Sequence, residues 1–216
     1  MYHHMNQNMQ IKTGKCHSVP TVQENGEIEL SEQWQWTSGD YSKGEFLLVE
    51  VPDAEIWDLY NENRELLGKD HIRGEQLPID GYHLVVHVWI RNSKGQYLIS
   101  QRSANRPTYP LMWECIGGSA VKGEDSLLGA IRDAKEEVGV DLMPENGKVL
   151  FTKTRKIFND IIDGWLFDYD GEVDLGNDTT DEVERATWMN REQIKELFDA
   201  NMFVDTLEYF FTEVDK

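Results

Sequence analysis

The sequence predicts an α+β domain, a mixed β-sheet covered by helices, preceded by an N-terminal extension. Three observations carry this. Strand-like and helix-like patterns alternate irregularly, which favours a mixed sheet over a doubly wound parallel one. His83–Arg91 is an almost unbroken β-branched and aromatic run ended by a turn. Residues 125–138 hold a single strongly helical period.

Residues 1–54 read as an irregular extension, with short polar and aromatic pieces, Gln33-Trp34-Gln35-Trp36 and Glu45-Phe46-Leu47-Leu48-Val49-Glu50-Val51, closing at Pro52. Trp34, Trp36, Tyr41 and Phe46 are too many aromatics for a free tail, yet the segment is too short for a core of its own. It is expected to pack on the main domain or on a second subunit. That main domain is read as 55–216. In it, His83–Arg91, the turn Asn92-Ser93-Lys94-Gly95 and residues 96–101 form a hairpin with a buried first strand. Leu127, Ile131, Ala134 and Val138 recur at helical spacing across 125–138. Residues 149–154 and 164–170 read as strands, 191–200 as a helix with Asn190 as N-cap, and 203–214 as a last helix.

A chain of 216 residues with 39% hydrophobic content can bury one sizeable core plus an appendage. Its net charge of −19 makes duplex nucleic acid a poor partner, and an anionic ligand needs local basic groups or bound cations. Cys16 and Cys115 are the only cysteines, so a disulfide framework is not expected and a reducing compartment fits. The first fifteen residues are polar and lack a signal-peptide core, and no apolar run approaches the roughly 18 residues of a membrane span. The expectation is a cytoplasmic protein without a membrane partner.

On a wheel of about 100° per residue, Asp133, Glu136 and Glu137 crowd the polar side of the 125–138 helix. Alone, crowded acids read as a solvated face. The preceding loop alters that reading. Gly117-Gly118-Ser119-Ala120-Val121-Lys122-Gly123 lets backbone carbonyls approach a ligand or metal, and Glu124 and Arg132 are placed to pair and fix the loop on the helix. Hard cations such as Mg²⁺ are held by one or two carboxylates together with substrate phosphates.

Residues 118–140, with Gly118, Glu124, Arg132, Glu136, Glu137 and Gly139 in register, resemble the Nudix box: Gly, five residues, Glu, seven residues, then Arg-Glu-aliphatic-x-Glu-Glu-x-Gly-aliphatic. At residue frequencies of about 7%, chance gives such a match in roughly one chain in 10⁵. Asp133 is one methylene shorter than the family's Glu, and Ala134 replaces the aliphatic residue. The resemblance implies an α/β/α sandwich with a mixed sheet and Mg²⁺-dependent hydrolysis, with Mn²⁺ as a substitute, of a small-molecule diphosphate, nucleoside-linked or otherwise organic. It further implies that Asp133, Glu136 and Glu137 are catalytic and metal-facing, that Gly117 offers its carbonyl, and that Gly118, Glu124 and Arg132 brace the motif. A homodimer is compatible with it.

The similarity reaches beyond the box. Trp57-Asp58-Leu59-Tyr60, His71-Ile72-Arg73-Gly74-Glu75, the His83–Arg91 run and Trp113-Glu114-Cys115 are similar to Nudix hydrolases that resemble isopentenyl-diphosphate isomerase. Those isomerases carry Cys-Gly-His where this chain has Gly117-Gly118-Ser119, and they lack the tandem acids Glu136 and Glu137, so hydrolysis is expected. Two alternatives stand beside it: a Nudix-shaped ligand-binding or regulatory module, motivated by Asp133, and an isomerase-type enzyme.

Arg102 and Arg106 fall where the resembling isomerases grip a diphosphate; the competing reading is surface charge balance. Glu182, in the acidic stretch 181–188, is a further metal ligand or base, or a solvated loop edge. Lys153, Arg155 and Lys156 read as a solvated strand end, His83 and His87 as structural, and Trp113 and Cys115 as core.

Overall fold

The computed structural model describes residues 55–173, 175 and 181–216, together with the backbone of four strands before residue 55. The chain divides into two compact units, Met1–Glu55 and Ile56–Lys216. In the first, β1 (Thr21–Val22) pairs with β2 (Ile28–Glu29), and β3 (Trp34–Asp40) pairs antiparallel with β4 (Glu45–Glu50), Trp34 opposite Glu50. These four strands correct the expectation of irregular chain; the Gln-Trp-Gln-Trp alternation is the period-two signal that announces β3. The aromatic side chains of this unit, and whatever they pack on, lie outside the described residues.

The second unit opens with a hairpin of β5 (Ile56–Tyr60) and β6 (Leu66–Ile72). It continues with β7 (His83–Arg91), β8 (Tyr97–Arg102), β9 (Trp113–Glu114), β10 (Ile116–Ser119), α1 (Ser126–Val138), β11 (Gly147–Arg155), β12 (Asp160–Asp168), β13 (Val183–Met189) and α2 (Arg191–Asp199). The main sheet runs β11-β12-β7-β8-β13, with β10 also paired to β7 and β9 to β8. β12 and β7 are parallel and the other pairs antiparallel, so the sheet is mixed, as expected.

β7 and β8 pair only at Ile90↔Leu98 and Arg91↔Tyr97 before they splay. The chain fills the opening: β9 follows β8, β10 follows β7, and Cys115 alone sits at the switch between them. The period of two along β7 sends alternate side chains into opposite layers. Val86, Val88 and Ile90 pack with Ala130, Ala134 and Val138 of α1, while Trp89 packs with Tyr97, Trp113, Ile194 of α2, Phe203 and Phe210. Each such fully buried large side chain contributes about 1.5–3 kcal/mol. The result is a helix layer on each face of the sheet.

The helix ends are locally encoded. The Asp125 side chain accepts from the Leu128 N–H, and Gly139 closes α1 at φ +66°, its N–H returned to the carbonyls of Ala134 and Lys135. Asn190 and Gln193 form a capping box on α2.

Three expectations need correction. The buried side of α1 carries Asp133 and Glu137, 5% and 8% exposed, alongside Ala134 and Val138, whereas Leu127 and Ile131 are only half-buried. The carboxylates therefore face the body and not solvent. The strand expected at 164–170 starts at Asp160, because Asp160 and Asp163 enter the interior paired with Arg155 and Arg64. Residues 203–214 are not one helix. The Val204 N–H donates to the Trp113 carbonyl and the Trp113 N–H to the Met202 carbonyl, both at 2.9 Å, drawing this backbone into a strand-like bridge. Only the short turns Asp205–Leu207 and Phe210–Val214 follow, and they still deliver Phe203, Leu207, Phe210 and Val214 to the core. Among the described residues, no helix is long and apolar enough to cross a membrane.

Candidate active site

The site is built where β10 leaves the sheet. Gly117 has φ +146°, and a Cβ there would stand 2.0 Å from the Val86 carbonyl oxygen, so only glycine lets β10 lie this close to β7. A Cβ on Gly118 would come within 3.2 Å of Asp133 Oδ2, which brings the strand against the carboxylate face of α1.

Arg132 organises the loop that follows. Its Nε donates to Glu124 Oε1 at 2.8 Å, and its Nη2 to Glu124 Oε2 at 3.1 Å and the Ser119 carbonyl at 3.0 Å. Its Nη1 donates to Asp133 Oδ1 at 2.6 Å and Glu136 Oε2 at 2.9 Å. All five guanidinium N–H groups are thus placed. Burial opposes the charge of Arg132, but the bonds to Glu124 and the charge of Asp133 outweigh it and hold the guanidinium above its ordinary value. Glu124 also accepts from the Val121 N–H at 3.0 Å, so one carboxylate ties the loop to the helix.

Around this brace six acids, Glu114, Glu124, Asp133, Glu136, Glu137 and Glu182, act on one another. Burial pushes the Asp133 carboxyl up to about 7, with Arg132 opposing the rise and Glu136 and Glu124 adding to it. Glu137 is pushed well above the usual carboxylate range by burial first, then by the charges of Asp133, Glu114 and Glu182; a backbone bond from Gly117 works the other way. Only two buried side-chain polar atoms among the described residues lack a hydrogen-bond partner, His71 Nε2 and Asp133 Oδ2, and the second lies against Gly118 of β10. A buried, unpartnered carboxylate oxygen is costly unless a donor or cation meets it. Among the described residues no three His, Cys, Asp or Glu side chains already converge as a metal requires. The acids repel, and Arg132 draws two of them to itself. The orphaned Oδ2 and the excess of buried acid nevertheless fit a hard cation.

Arg102 and Arg106 are both engaged by carboxylates. Arg102 Nη1 donates to Glu114 Oε1 at 2.5 Å and its Nε to the Thr108 carbonyl at 2.9 Å. Arg106 pairs with Glu182, whose own carbonyl accepts from the Ser103 N–H at 2.8 Å. Burial raises the Glu114 carboxyl, with Arg102 acting against the rise. Glu114 is the site residue that sequence reasoning did not single out. Its signal is position, three residues before the glycine pair and on a strand that fills the β7–β8 splay.

The other residues weighed in the sequence are structural in their surroundings. His83 stacks on Trp57 with ring centroids 4.2 Å apart, and His87 Nδ1 lies 2.6 Å from the Tyr209 hydroxyl. Burial lowers the His87 ring to about 3, so it is neutral. Cys115 is a buried free thiol pushed up by burial, and Trp113 is core, with the Arg185 guanidinium 4.9 Å above its ring. Arg155 is tied to Asp160 and Lys156 to Glu62.

A mixed sheet between helix layers, carrying a glycine loop and a helix whose carboxylates are braced by one arginine, defines a Nudix-type domain. Residues 81–207 match the model of the NUDIX domain, and residues 1–51 separately match that of an avidin-like protein. The chain is 39% identical over 158 residues to the Nudix hydrolase lin0387 of Listeria innocua, covering 73% of this chain and 90% of that protein. The structure of DR0079 from Deinococcus radiodurans superposes with a TM-score of 0.59 at 23% identity, over 74% of this chain and 99% of that one, and shows the same fold. A shorter similarity, 32% identity over 63 residues, links 29% of this chain to 35% of the isopentenyl-diphosphate Δ-isomerase of Escherichia coli O127:H6. The chain belongs to the Nudix family. It is a Nudix hydrolase, a pyrophosphohydrolase of a family that acts on diphosphate bonds.

Proposed function

We propose that this enzyme uses Mg²⁺, or Mn²⁺ in its place, to hydrolyse the diphosphate bond of a small organic diphosphate, nucleoside-linked or otherwise. The observation that carries this reading is the buried, unpartnered Asp133 Oδ2 next to the strongly raised Glu137, in a site where Arg132 ties the loop at Ser119 and Glu124 to the helix at Asp133 and Glu136. In this reading Asp133, Glu136 and Glu137 are the catalytic carboxylates and hold the cation with the Gly117 carbonyl and Glu182. Gly118, Glu124 and Arg132 hold the loop and helix in register. The bound cation would supply Lewis-acid stabilisation of the phosphoryl oxygens and lower the pKa of water. Asp133 or Glu136 takes the proton of the attacking water. Arg102 and Arg106 exchange Glu114 and Glu182 for phosphate oxygens, a trade favoured by bidentate guanidinium geometry.

The subgroup resembling isopentenyl-diphosphate isomerase is part of this reading, supported by the 63-residue similarity. Double-bond migration is the weaker second reading: Gly117 and Ser119 stand where those isomerases carry Cys and His, and the nearby Cys115 thiol is buried and kept protonated. A reducing, cytoplasmic setting agrees with the free Cys115. Residues 1–54 are read as an extension to a catalytic unit at 55–216, and a chain shortened to start at Asp53 tests its contribution to stability, activity and oligomeric state.

The deciding experiment incubates the full chain with Mg²⁺ and a panel of nucleoside and isoprenoid diphosphates. Release of phosphate or a monophosphate is measured together with double-bond position by NMR. Hydrolysis of some panel member supports the proposal. Migration without release favours the isomerase, and binding without turnover favours a regulatory module.

A further inference from the structure

The hairpin β5–β6 lies outside the stretch matched by the family model, which begins at residue 81, yet it is fastened to the catalytic unit at three places. Tyr60 and Tyr82 exchange backbone hydrogen bonds of 2.8 and 2.9 Å, which adds the hairpin to the entry of β7. Trp57 stacks on His83, the first residue of β7, at an interplanar angle of 13°. Arg64, at the hairpin turn, makes a bidentate pair of 2.6 and 2.5 Å with Asp163 in the interior of β12, and the Thr152 hydroxyl donates to the same Asp163 Oδ1 at 2.6 Å. Bidentate geometry sets orientation as well as distance.

From this platform the hairpin reaches the loop that leads into α1. The Lys122 N–H donates to the Ile56 carbonyl at 2.7 Å, the Gly123 N–H donates to Asp58 Oδ2 at 2.7 Å, and Lys122 Nζ lies 2.6 Å from Asp70 Oδ2. Asp58 and Asp70 face each other across the hairpin, so the two carboxylates meet consecutive loop residues from one side. Gly123 has φ +85°, a conformation that aims its N–H outward at Asp58 and that other residues rarely adopt. Gly123 immediately precedes Glu124, which positions Arg132, which in turn holds Asp133 and Glu136.

We infer that Asp58 is a positioning residue for the carboxylate site: it pins Gly123 and thereby sets the geometry of Glu124 and Arg132 on which cation binding by Asp133, Glu136 and Glu137 depends. This rests on the reading of the box carboxylates as the cation site. The bond acts as an outer-shell partner does in metal sites, where loss of an orienting group commonly weakens affinity by about 10–100-fold without touching the ion. A charged acceptor makes the bond to Gly123 strong, and an amide oxygen at the same place is able to accept it too.

The test uses the full chain as wild type, Asp58→Ala, Asp58→Asn and Glu137→Gln, with Mn²⁺ binding followed by electron paramagnetic resonance and amide exchange at Gly123 and Glu124 followed without metal. Asp58→Ala should weaken Mn²⁺ binding about tenfold and speed exchange at Gly123, with the melting temperature little changed, and Asp58→Asn should restore most of both. In turnover, the Mg²⁺ concentration for half-activation should rise while KM for the diphosphate stays. Wild-type Mn²⁺ affinity in Asp58→Ala, alongside lost binding in Glu137→Gln, overturns the positioning role and leaves the site reading standing. Equal losses in Asp58→Ala and Asp58→Asn with a common fall in melting temperature overturn it as general destabilisation. Unchanged Mn²⁺ binding in Glu137→Gln overturns the site reading, and the positioning role with it.

Discussion

Arg132 Nη1 lies 2.6 Å from Asp133 Oδ1, while the second oxygen of that carboxylate, Oδ2, is buried without a partner. Neighbours in sequence, the two residues divide one carboxyl group into a half bound to the guanidinium of the brace and a half that lies unpartnered against Gly118. Replacing Arg132 by Lys keeps the charge but not the planar fork, and an ammonium cannot meet Glu124, Ser119, Asp133 and Glu136 together. Arg132→Lys should lower stability by about 2 kcal/mol or more in urea titration and reduce turnover at least about tenfold. Wild-type values for both would remove Arg132 from the centre of the brace.

Glu137 is buried beside Asp133, Glu114 and Glu182, all of which raise it. Glu137→Gln removes a carboxyl that a cation needs deprotonated and keeps the shape. Turnover with Mg²⁺ should fall at least about a hundredfold, and the metal-free melting temperature should change little because burial already favours the neutral form of this carboxyl. Near-normal turnover would sink the assignment.

Asp133 supplies a pH signature. Burial, opposed by Arg132 and helped by Glu136 and Glu124, holds it at about 7, whereas an unfolded Asp titrates at about 4. Between these values the folded chain keeps a proton that the unfolded chain has released. The stability contributed by Asp133 is therefore present below about pH 4 and is lost as pH rises to about 7. Thermal melts of the metal-free chain across this window should show Asp133→Asn with a flatter decline than wild type. Mg²⁺ should stabilise wild type more at about pH 8 than at about pH 5, since ligands must be deprotonated. Identical slopes for the two chains would show that Asp133 titrates normally. Asp133→Glu, which restores the family's residue, should keep or raise activity.

Arg102 and Arg106 are bound to Glu114 and Glu182, so a diphosphate must displace acids to reach them. If they hold substrate equally before and during reaction, Arg102→Ala and Arg106→Ala raise KM by about tenfold each and leave kcat nearly unchanged. Unaltered steady-state constants would return both to the role of internal ion pairs.

Much of the site is legible in the linear sequence because its signals are local. The spacing from Gly118 through Glu124 and Arg132 to Gly139 marks the loop and helix, Asp125 and Gly139 supply caps of known geometry, and His83–Arg91 announces its strand by composition alone. The alternation Gln33-Trp34-Gln35-Trp36 opens β3 to a period-two reading, while β4 is marked by the apolar run 46–49. Residues 203–214 show the limit, since their apolar period was helical but a bridge to Trp113, ninety positions away, took the first turn out of helix.

What the sequence by itself determined is which residues share the loop and helix of the box, because helical period and capping depend on neighbours within a few positions. Only the tertiary structure decided that Asp133 and Glu137 face inward, that Glu114 joins them from β9, that Arg102 and Arg106 arrive already paired, and that Asp58 reaches Gly123 from a hairpin 65 positions earlier. Burial and charge pairing are set by what lies across the space beneath a side chain. Here that is the glycine strand β10, inserted where β7 and β8 part, and no local pattern encodes the gap it fills.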